Sequence, residues 1–460
     1  MGGLAQILKE SGHDISGSDA QFYPPMSDHL DNLGIDMIKG YSKDTLPKAD
    51  LYVIGNALSR GNECVEFILD TKLPFKSGPQ MLGDILEEKR VFAVSGTHGK
   101  TTTSYMLTHI FLDQGKDIGF LVGGISDNIS GSASLGTDRI FVIEADEYDS
   151  AFFDKRSKFI HYNPYIVSIN NLEMDHADIF RDLTDIQRSF SHLIRLIPQR
   201  GYLIINGDDK NILGLLDQYF CSLLKVGIET KNDLVLKDFK EGSWGSSFKL
   251  YFKGRFWTEV EWPLQGLYNA RNAAVAALSS GIAFDNKNPL SIDLAALKYF
   301  EGVKRRQEKL YEEENQLIYE DFAHHPSAIS EILDSKKEIF PEHEIVACFE
   351  PRSNTSKSQL FQLEFTKALS KADVVLIGAI NKNSEATNDL YLDRLKMINE
   401  IQGLGCNRVA EYFEENQELY QYLIQFLTES KNRDKPVVIV FFTNGSFDGI
   451  MKKLVNKLTS

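Results

Sequence analysis

Short runs of β-branched and aromatic residues recur along the chain and alternate with segments whose apolar residues follow a helical spacing. The clearest strand-like runs are Arg90–Ser95, Ile140–Ile143, Ile166–Ile169 and Val437–Phe442. Such runs are typical of buried strands, and their alternation with helices is typical of a parallel sheet. The pattern therefore predicts an α/β fold.

The strand-like runs fall into three groups. Because a domain commonly has about 150 residues, a chain of 460 residues has room for three of them. The groups predict domains at residues 1–88, 89–302 and 303–460.

The N-terminal group departs from a standard Rossmann-type unit, which opens with a strand and a glycine-rich turn. Here Gly2 and Gly3 already open the first helical segment. A short strand at His13–Ser16 and a turn at Gly17–Asp19 are predicted to follow. We therefore expect the N-terminal sheet to lack its first strand.

Composition and charge narrow the class of protein. The 50 Lys and Arg against 65 Asp and Glu give a net charge of −15, which argues against nucleic-acid and anionic-membrane partners. No apolar run approaches the roughly 18 residues that a spanning helix needs. The four cysteines form no Cys-x-x-Cys pair, which is typical of reduced thiols. We expect a cytoplasmic enzyme, and the sequence leaves its oligomeric state open.

The run GTHGKTTT after the first central strand is a short variant of the phosphate-binding loop. Gly96 and Gly99 let backbone N–H groups approach phosphate oxygens, and the helix that starts there adds its positive end. Lys100 would place its charge at the β- and γ-phosphates. The other candidate residues of this loop are Thr97, His98, Thr101 and Thr102.

Two further polar clusters follow predicted strands, where ligands bind in parallel sheets. Glu144 opens the acidic run EADEYD, and His176 stands in LEMDHAD. Carboxylate and hydroxyl oxygens suit Mg²⁺, so the acidic run and the Thr101 hydroxyl predict a Mg²⁺ site, with a solvated acidic loop as the alternative for the run. For His176 several interpretations stay open: a ligand of a second cation, a group that orients an acyl group, or a structural histidine.

The remaining candidates lie further along the chain. Asn269 and Asn272 in GLYNARNA would either contact a base or ribose, or cap and pack a helix. Arg306 adjoins the junction of the second and third groups, and Asp321 ends a predicted strand. Arg352 in EPRSNT also follows a buried strand, where its planar fork can pair with a carboxylate.

In this order, the motifs GTHGKTTT, EADE, DH, GLYNARNA and RR resemble those of the Mur ligase superfamily, the ATP-dependent ligases that build the peptide stem of the bacterial cell wall. The resemblance covers essentially the whole chain. It implies a Rossmann-like N-terminal domain for the UDP-sugar and a central P-loop ATPase domain with a parallel sheet. It also implies a Rossmann-like C-terminal domain that admits the incoming amine.

The resemblance implies roles for the candidate residues, with ATP and Mg²⁺ as cofactors. Thr101 and Glu144 would hold one metal ion and His176 a second one. Lys100, Glu144 and His176 would be catalytic. The implied ATP contacts are Gly96, Thr97, His98, Gly99, Lys100, Thr101, Thr102, Asn269, Asn272, Arg306 and Asp321. The implied UDP-sugar contacts are Gly2, Gly3, Ser18, Asp19 and Asn56. The implied peptide contacts are Arg352 and Asn354.

Within the superfamily, four stretches resemble the branch that joins the murein tripeptide L-alanyl-γ-D-glutamyl-meso-diaminopimelate to UDP-N-acetylmuramate in peptidoglycan recycling. These stretches are GNALSRGN, EADEYDSAFFDKRSKF, DFAHHPSAI and EPRSNT. The resemblance implies that ATP converts the lactyl carboxylate of the sugar nucleotide into an acyl phosphate. The amine of the tripeptide then attacks this acyl phosphate.

Other function classes stay open. The branch of the superfamily that adds L-alanine to the same sugar nucleotide is one alternative. A P-loop kinase or GTPase-like switch would fit the central group but leaves the third group unexplained. An NAD-binding oxidoreductase, suggested by Gly17-Ser18-Asp19, ignores the phosphate loop. A binding-only protein would follow if the N-terminal sheet is incomplete.

Overall fold

The computed structural model describes residues 1–24, 26–177, 179–313, 315–380, 391–404, 409–432 and 435–459. Within these residues the strands form five sheets, of which the two largest have ten and six strands. Helices alternate with the strands in all three parts of the chain. The predicted α/β class is confirmed.

The N-terminal part contains two separate pairs of parallel strands. Its elements are α1 (Gly2–Glu10), β1 (Ser16–Asp19), α2 (Met26–Asn32), β2 (Asp36–Lys39), β3 (Tyr52–Ile54), α3 (Glu63–Asp70), β4 (Phe75–Ser77) and α4 (Gly78–Ile85). β1 pairs with β2, and β3 pairs with β4. Among the described residues no strand joins the two pairs. The expectation that the N-terminal sheet lacks its first strand stays a prediction.

The turn expected at Gly17–Asp19 is wrong, because these residues continue strand β1. Gly17 pairs with Met37 across the two strands, and its backbone is not in the left-handed region. The strand expected at His13–Ser16 therefore begins only at its last residue. A polar strand of this kind is held by its pairing with β2, which the pattern of the segment alone does not reveal.

Helix α1 packs against the central part of the chain. A Cβ atom on Gly3 would lie 2.6 Å from the Leu121 side chain. Leu4, Ile7 and Leu8 of α1 are buried in the same hydrophobic cluster as the central strands. Glycine at position 3 therefore allows α1 to pack closely against the central part of the chain.

The central part forms the ten-stranded sheet. Its elements are β5 (Arg90–Ser95), α5 (Lys100–Asp113), β6 (Gly119–Leu121), β7 (Ala133–Ser134), β8 (Ile140–Glu144), β9 (Asp149–Ala151), β10 (Asp154–Ser157), β11 (Ile166–Ile169), α6 (Leu183–Arg195), β12 (Tyr202–Asn206), α7 (Lys210–Leu213), β13 (Ser222–Gly227), β14 (Leu234–Gly242), β15 (Gly245–Phe252), β16 (Arg255–Trp262) and α8 (Leu267–Phe284). The strand order is β16-β15-β14-β13-β12-β11-β5-β8-β6-β7, and β9 pairs separately with β10. Helices α5 and α8 cover one face of this sheet, and α1, α4 and α6 cover the other.

The C-terminal part forms the six-stranded sheet. Its elements are β17 (Glu308–Glu313), β18 (Gln316–Asp321), α9 (Pro326–Ile339), β19 (Glu344–Phe349), α10 (Asn354–Lys357), α11 (Gln362–Leu369), β20 (Val374–Ile377), α12 (Arg394–Gly403), β21 (Val409–Tyr412), α13 (Asn416–Asn432), β22 (Val437–Phe442) and α14 (Ile450–Leu458). The strand order is β17-β18-β22-β19-β20-β21, with only β17 antiparallel to its neighbour.

The two large sheets place their carboxyl ends toward the candidate residues. In the central sheet, β5 lies between β8 and β11, so the residues that follow these three strands meet at one edge. The hairpins β14–β15 and β15–β16 add an antiparallel end to this sheet, which the sequence analysis did not predict. The domain boundaries at residues 88/89 and 302/303 stay a prediction. No helix of the described residues is long and apolar enough to cross a membrane.

Candidate active site

The phosphate-loop residues connect β5 to α5 in a tight backbone path. Gly96 has φ +126°, and a Cβ there would lie 3.0 Å from the Asn170 backbone nitrogen. Gly99 has φ +77°, and a Cβ there would lie 2.6 Å from Asn272 Oδ1. These positions therefore require glycine for both conformation and space. The N-terminus of α5 follows directly, which is typical of a phosphate site.

Lys100, the first residue of α5, lies in a buried charged triad with Glu147 and His176. Lys100 Nζ lies 3.2 Å from Glu147 Oε2, and His176 Nε2 lies 3.1 Å from Glu147 Oε1. Only 3% of the Glu147 side chain is exposed. Burial lowers the pKa of Lys100, but Glu147, Asp146 and Glu144 outweigh it and the net pKa is raised. The lysine is therefore held as a cation at the phosphate loop.

His176 owes its position to a strained turn after β11. Its φ is +53°, a left-handed conformation that is uncommon for a residue with a side chain. Its backbone N–H donates to Asp175 Oδ1 at 2.7 Å. Burial lowers the pKa of His176, but Glu147 and Asp175 outweigh it and raise the pKa. Strain of this kind is characteristic of functional sites.

Thr101 and Glu144 form a second polar contact at the end of β8. The Thr101 hydroxyl donates to Glu144 Oε1 at 2.8 Å, and the Gly123 N–H donates to Glu144 Oε2 at 2.9 Å. A hydroxyl and a carboxylate at this distance are hard oxygen ligands that can share one Mg²⁺ ion. The predicted proximity of these two residues is observed, and their role as metal ligands stays a prediction.

The asparagines of α8 lie beside the phosphate loop. Asn272 Oδ1 accepts from Asn170 Nδ2 at 3.3 Å, and Asn170 Nδ2 also donates to the Thr103 hydroxyl at 2.8 Å. Asn269 Nδ2 donates to the Gln265 carbonyl oxygen at 2.8 Å. The N-cap of α8 is Gly266, so Asn269 does not cap the helix.

The C-terminal part contributes Arg306, Asp321 and a neutral histidine. Asp321 accepts the N–H groups of Gln307 and Ala323 at 2.8 and 2.7 Å. Burial raises the pKa of Asp321, which Arg306 offsets only in part. Burial also lowers the pKa of His324 to about 4, so its imidazole is neutral.

A buried hydrogen bond ties the C-terminal part to the strand end that carries His176. The Thr355 hydroxyl of α10 donates to Asp175 Oδ1 at 2.7 Å. The His176 N–H lies 3.2 Å from the same hydroxyl oxygen. The two sheets therefore meet at one site.

Between the two sheets lies a cavity of about 340 Å³ that gathers most of the predicted ATP and metal residues. Those that line it are Thr97, His98, Gly99, Lys100, Thr101, Thr102, Glu144, His176, Asn269, Asn272, Arg306 and Asp321. Gly96 lies in the same loop. A cavity with a phosphate loop on one wall and a second sheet on the other can hold a nucleotide and bring a further substrate to its phosphates.

The predicted peptide residues lie next to this cavity. Ser353 lines it, whereas Arg352 lines a second cavity of about 320 Å³ together with Glu414, Asp448 and Lys453. The Arg352 side chain is 45% exposed, and its nearest carboxylate, that of Glu350, is 3.8 Å away. Asn354 is the first residue of α10.

The predicted UDP-sugar residues lie in the N-terminal part. Gly2 and Gly3 belong to α1, Ser18 and Asp19 to β1, and Asn56 follows β3. None of these five lines the 340 Å³ cavity. Their role stays a prediction.

Several residues of the site were not singled out in the sequence. Glu147 was one acid of a run, and nothing in its local pattern marks it as the partner of both Lys100 and His176. Asn170 directly follows a buried strand, and this position was the available signal. Thr355 lies in EPRSNT, but its contact with Asp175 depends on the packing of two sheets.

The fold and the site define a P-loop nucleotide-dependent enzyme. A family model described as the Mur ligase middle domain matches residues 94–280, and one described as the Mur ligase family catalytic domain matches residues 1–90.

The chain is 37% identical to a UDP-N-acetylmuramate–L-alanyl-gamma-D-glutamyl-meso-2,6-diaminoheptandioate ligase of Haemophilus influenzae, over 100% of this chain and 96% of that protein. It is 42% identical to the protein of the same name from Escherichia coli, over 82% of each chain. A crystal structure of a murein peptide ligase from Psychrobacter arcticus is 34% identical with a TM-score of 0.70, over 100% of this chain and 96% of that one. The chain belongs to the Mur ligase family and is an ATP-dependent ligase that forms amide bonds.

Proposed function

We propose that this ligase joins the tripeptide L-alanyl-γ-D-glutamyl-meso-diaminopimelate to UDP-N-acetylmuramate in peptidoglycan recycling. The observation that carries the proposal is the match to two tripeptide-adding ligases at 37% and 42% identity. The proposed division is a UDP-sugar domain at residues 1–88, an ATP-binding domain at 89–302 and an amine-admitting domain at 303–460. Because the reaction consumes ATP, we place it in the cytoplasm.

The phosphate-loop wall of the cavity supports the ATP side of the proposal. Lys100 and the N-terminus of α5 would hold the phosphates, and the charge of Lys100 would offset the repulsion between the triphosphate and an approaching carboxylate. Asn269, Asn272, Arg306 and Asp321, which line the same cavity, would contact the rest of the nucleotide.

The donor set of the site fits Mg²⁺. Thr101 and Glu144 lie 2.8 Å apart as hydroxyl and carboxylate, and His176 with the buried Glu147 forms a second pair. Thr101 and Glu144 would hold one ion and His176 a second one. Bound there, Mg²⁺ supplies charge neutralisation of the phosphates.

The proposed reaction has two steps on the lactyl carboxylate of UDP-N-acetylmuramate. One carboxylate oxygen attacks the γ-phosphorus of ATP, which gives an acyl phosphate and ADP. The amine of the tripeptide then attacks the acyl carbon, loses a proton and expels phosphate, which leaves the amide. Arg306 and Asp321 line the cavity from the C-terminal side and would help to exclude water from the acyl phosphate.

The second cavity supports a peptide that carries several charges. It brings the cations of Arg352 and Lys453 together with the carboxylates of Glu414 and Asp448. Diaminopimelate ends in an ammonium and a carboxylate, so both charge signs find partners there. L-Alanine, whose amine reacts, offers only one carboxylate. Arg352 and Asn354 are therefore our candidates for tripeptide contacts.

The test measures phosphate release with ATP and UDP-N-acetylmuramate while the acceptor is varied. We expect tripeptide-dependent phosphate release and much less with L-alanine. Equal or greater release with L-alanine would assign the chain to the alanine-adding branch. Phosphate release without any acceptor would point to a kinase or hydrolase.

A further inference from the structure

A cluster of two histidines and a glutamate lies between the two large sheets, outside the triad of Lys100. His98 comes from the phosphate loop, Glu173 follows β11, and His325 is the N-cap of α9. One nitrogen or oxygen of each of these side chains lies within 4.8 Å of the others. Polar side-chain atoms from three segments, which belong to the two large sheets, thus lie close together.

The tautomer of His325 is fixed by its surroundings. His325 Nε2 lies 2.9 Å from the carbonyl oxygen of Met174, and since a carbonyl only accepts, Nε2 carries a hydrogen. In the neutral imidazole Nδ1 is then an acceptor, to which the Ser327 N–H donates at 3.4 Å, with the Ser327 hydroxyl oxygen 2.8 Å away. His325 Nδ1 also lies 3.1 Å from Glu173 Oε2.

A second imidazole nitrogen approaches the same carboxylate oxygen. His98 Nε2 lies 3.5 Å from Glu173 Oε2, and the two rings lie 4.8 Å apart. The Ser327 hydroxyl has one hydrogen, which it donates to Glu173 Oε2. Two imidazole nitrogens therefore approach one carboxylate oxygen, an arrangement that an added proton or a metal ion can hold together.

The distances from Glu173 Oε2 to the two imidazole nitrogens fit a metal ion. Zn²⁺ binds imidazole nitrogen and carboxylate oxygen at about 2.0–2.2 Å in a tetrahedron, which places neighbouring ligand atoms about 3.4 Å apart. The observed separations from Glu173 Oε2 are 3.5 and 3.1 Å. The hydrogen bond of His325 Nε2 to a carbonyl is the type of outer contact that orients metal-binding histidines.

We propose that His98, Glu173 and His325 form a transition-metal site of the Zn²⁺ class that joins the phosphate loop to the C-terminal sheet. Its two imidazoles distinguish it from the Mg²⁺ candidate formed by Thr101 and Glu144, since hard Mg²⁺ prefers oxygen ligands. Water would complete the tetrahedron as the fourth ligand. The proposal does not depend on which amine the ligase accepts.

The test titrates the metal-free protein with Co²⁺, whose four-coordinate complexes absorb strongly in visible light whereas six-coordinate ones absorb weakly. We expect one equivalent to give intense bands, to be displaced by Zn²⁺ and to release protons. Glu173→Gln keeps the size of the side chain and should lower Co²⁺ affinity at least about tenfold, as should His325→Ala. His192→Ala, an exposed histidine on α6, should bind as the unchanged protein does.

Two outcomes overturn the proposal. Co²⁺ that gives no intense bands, in protein whose fold is confirmed by circular dichroism, would mean that a proton alone fills the cluster. Intense bands that persist in Glu173→Gln and His325→Ala but vanish in His176→Asn would place the metal at the triad of Lys100.

Discussion

Removing the charge of Glu147 should destabilise the nucleotide-free enzyme, because this carboxylate is the buried partner of the Lys100 cation and also lies 3.1 Å from His176 Nε2. The Lys100 side chain is 13% exposed and that of Glu147 3%, so water screens the pair weakly. Leaving a buried charge without its partner typically costs about 3–5 kcal/mol. Glutamine keeps one acceptor for Lys100, so we expect Glu147→Gln to lower the free energy of unfolding by about 3 kcal/mol.

The change in the free energy of unfolding is measured by urea unfolding, with tryptophan fluorescence as the signal. Of the three tryptophans, Trp244 lies in the turn between β14 and β15, and Trp257 and Trp262 lie in β16 of the ten-stranded sheet. The signal therefore reports the unit that contains the phosphate loop. Saturating ATP should reduce the difference between the proteins, because phosphate replaces the carboxylate as partner of Lys100.

The matched control is Asp149→Asn, which removes a carboxylate paired with Lys155 on the surface. The Lys155 side chain is 71% exposed, so this change should cost less than about 1 kcal/mol. The reasoning is refuted if Glu147→Gln unfolds at the same urea concentration as the unchanged protein. It is also refuted if ATP leaves a large difference untouched.

Three further changes test other parts of the account. Lys100→Ala should abolish turnover while circular dichroism shows an intact fold, and product formation above a few per cent would remove its proposed role. Burial lowers the pKa of Lys336 to about 7. Above that pH the folded chain has lost a proton that the unfolded chain still binds, so the free energy of unfolding should rise between pH 7 and 10, by up to about 1.4 kcal/mol per pH unit. Lys336→Met should remove that rise in urea midpoints measured at pH 7 and 9. Arg352→Lys should raise the KM of the tripeptide and leave the KM of ATP unchanged, because lysine lacks the planar fork.

The sequence predicted buried parallel strands well. The predicted strands Arg90–Ser95, Ile166–Ile169 and Val437–Phe442 agree with β5, β11 and β22 to the residue. Strands buried on both faces appear in the sequence as nearly continuous apolar runs. The antiparallel hairpins between Leu234 and Trp262 were missed because one end of the sheet is partly exposed, which interrupts such runs.

Site residues were predictable from the sequence where a single segment contains the whole motif. The phosphate loop and Glu144 each follow a predicted strand, and the order of parallel strands brings them together. Contacts that join different segments were not predictable. The triad of Lys100, Glu147 and His176 joins three segments of the central sheet, and the approach of His325 to Glu173 depends on how the two large sheets pack.

The central claim, ligation through an acyl phosphate, is tested most directly with UDP-N-acetylmuramate that carries ¹⁸O in both oxygens of its lactyl carboxylate. The enzyme is incubated with this substrate, ATP and the tripeptide, and the products are analysed by mass spectrometry. The account predicts one ¹⁸O in the released phosphate, one in the new amide and none in ADP. Phosphate without ¹⁸O, or labelled phosphate formed with L-alanine but not with the tripeptide, would contradict it.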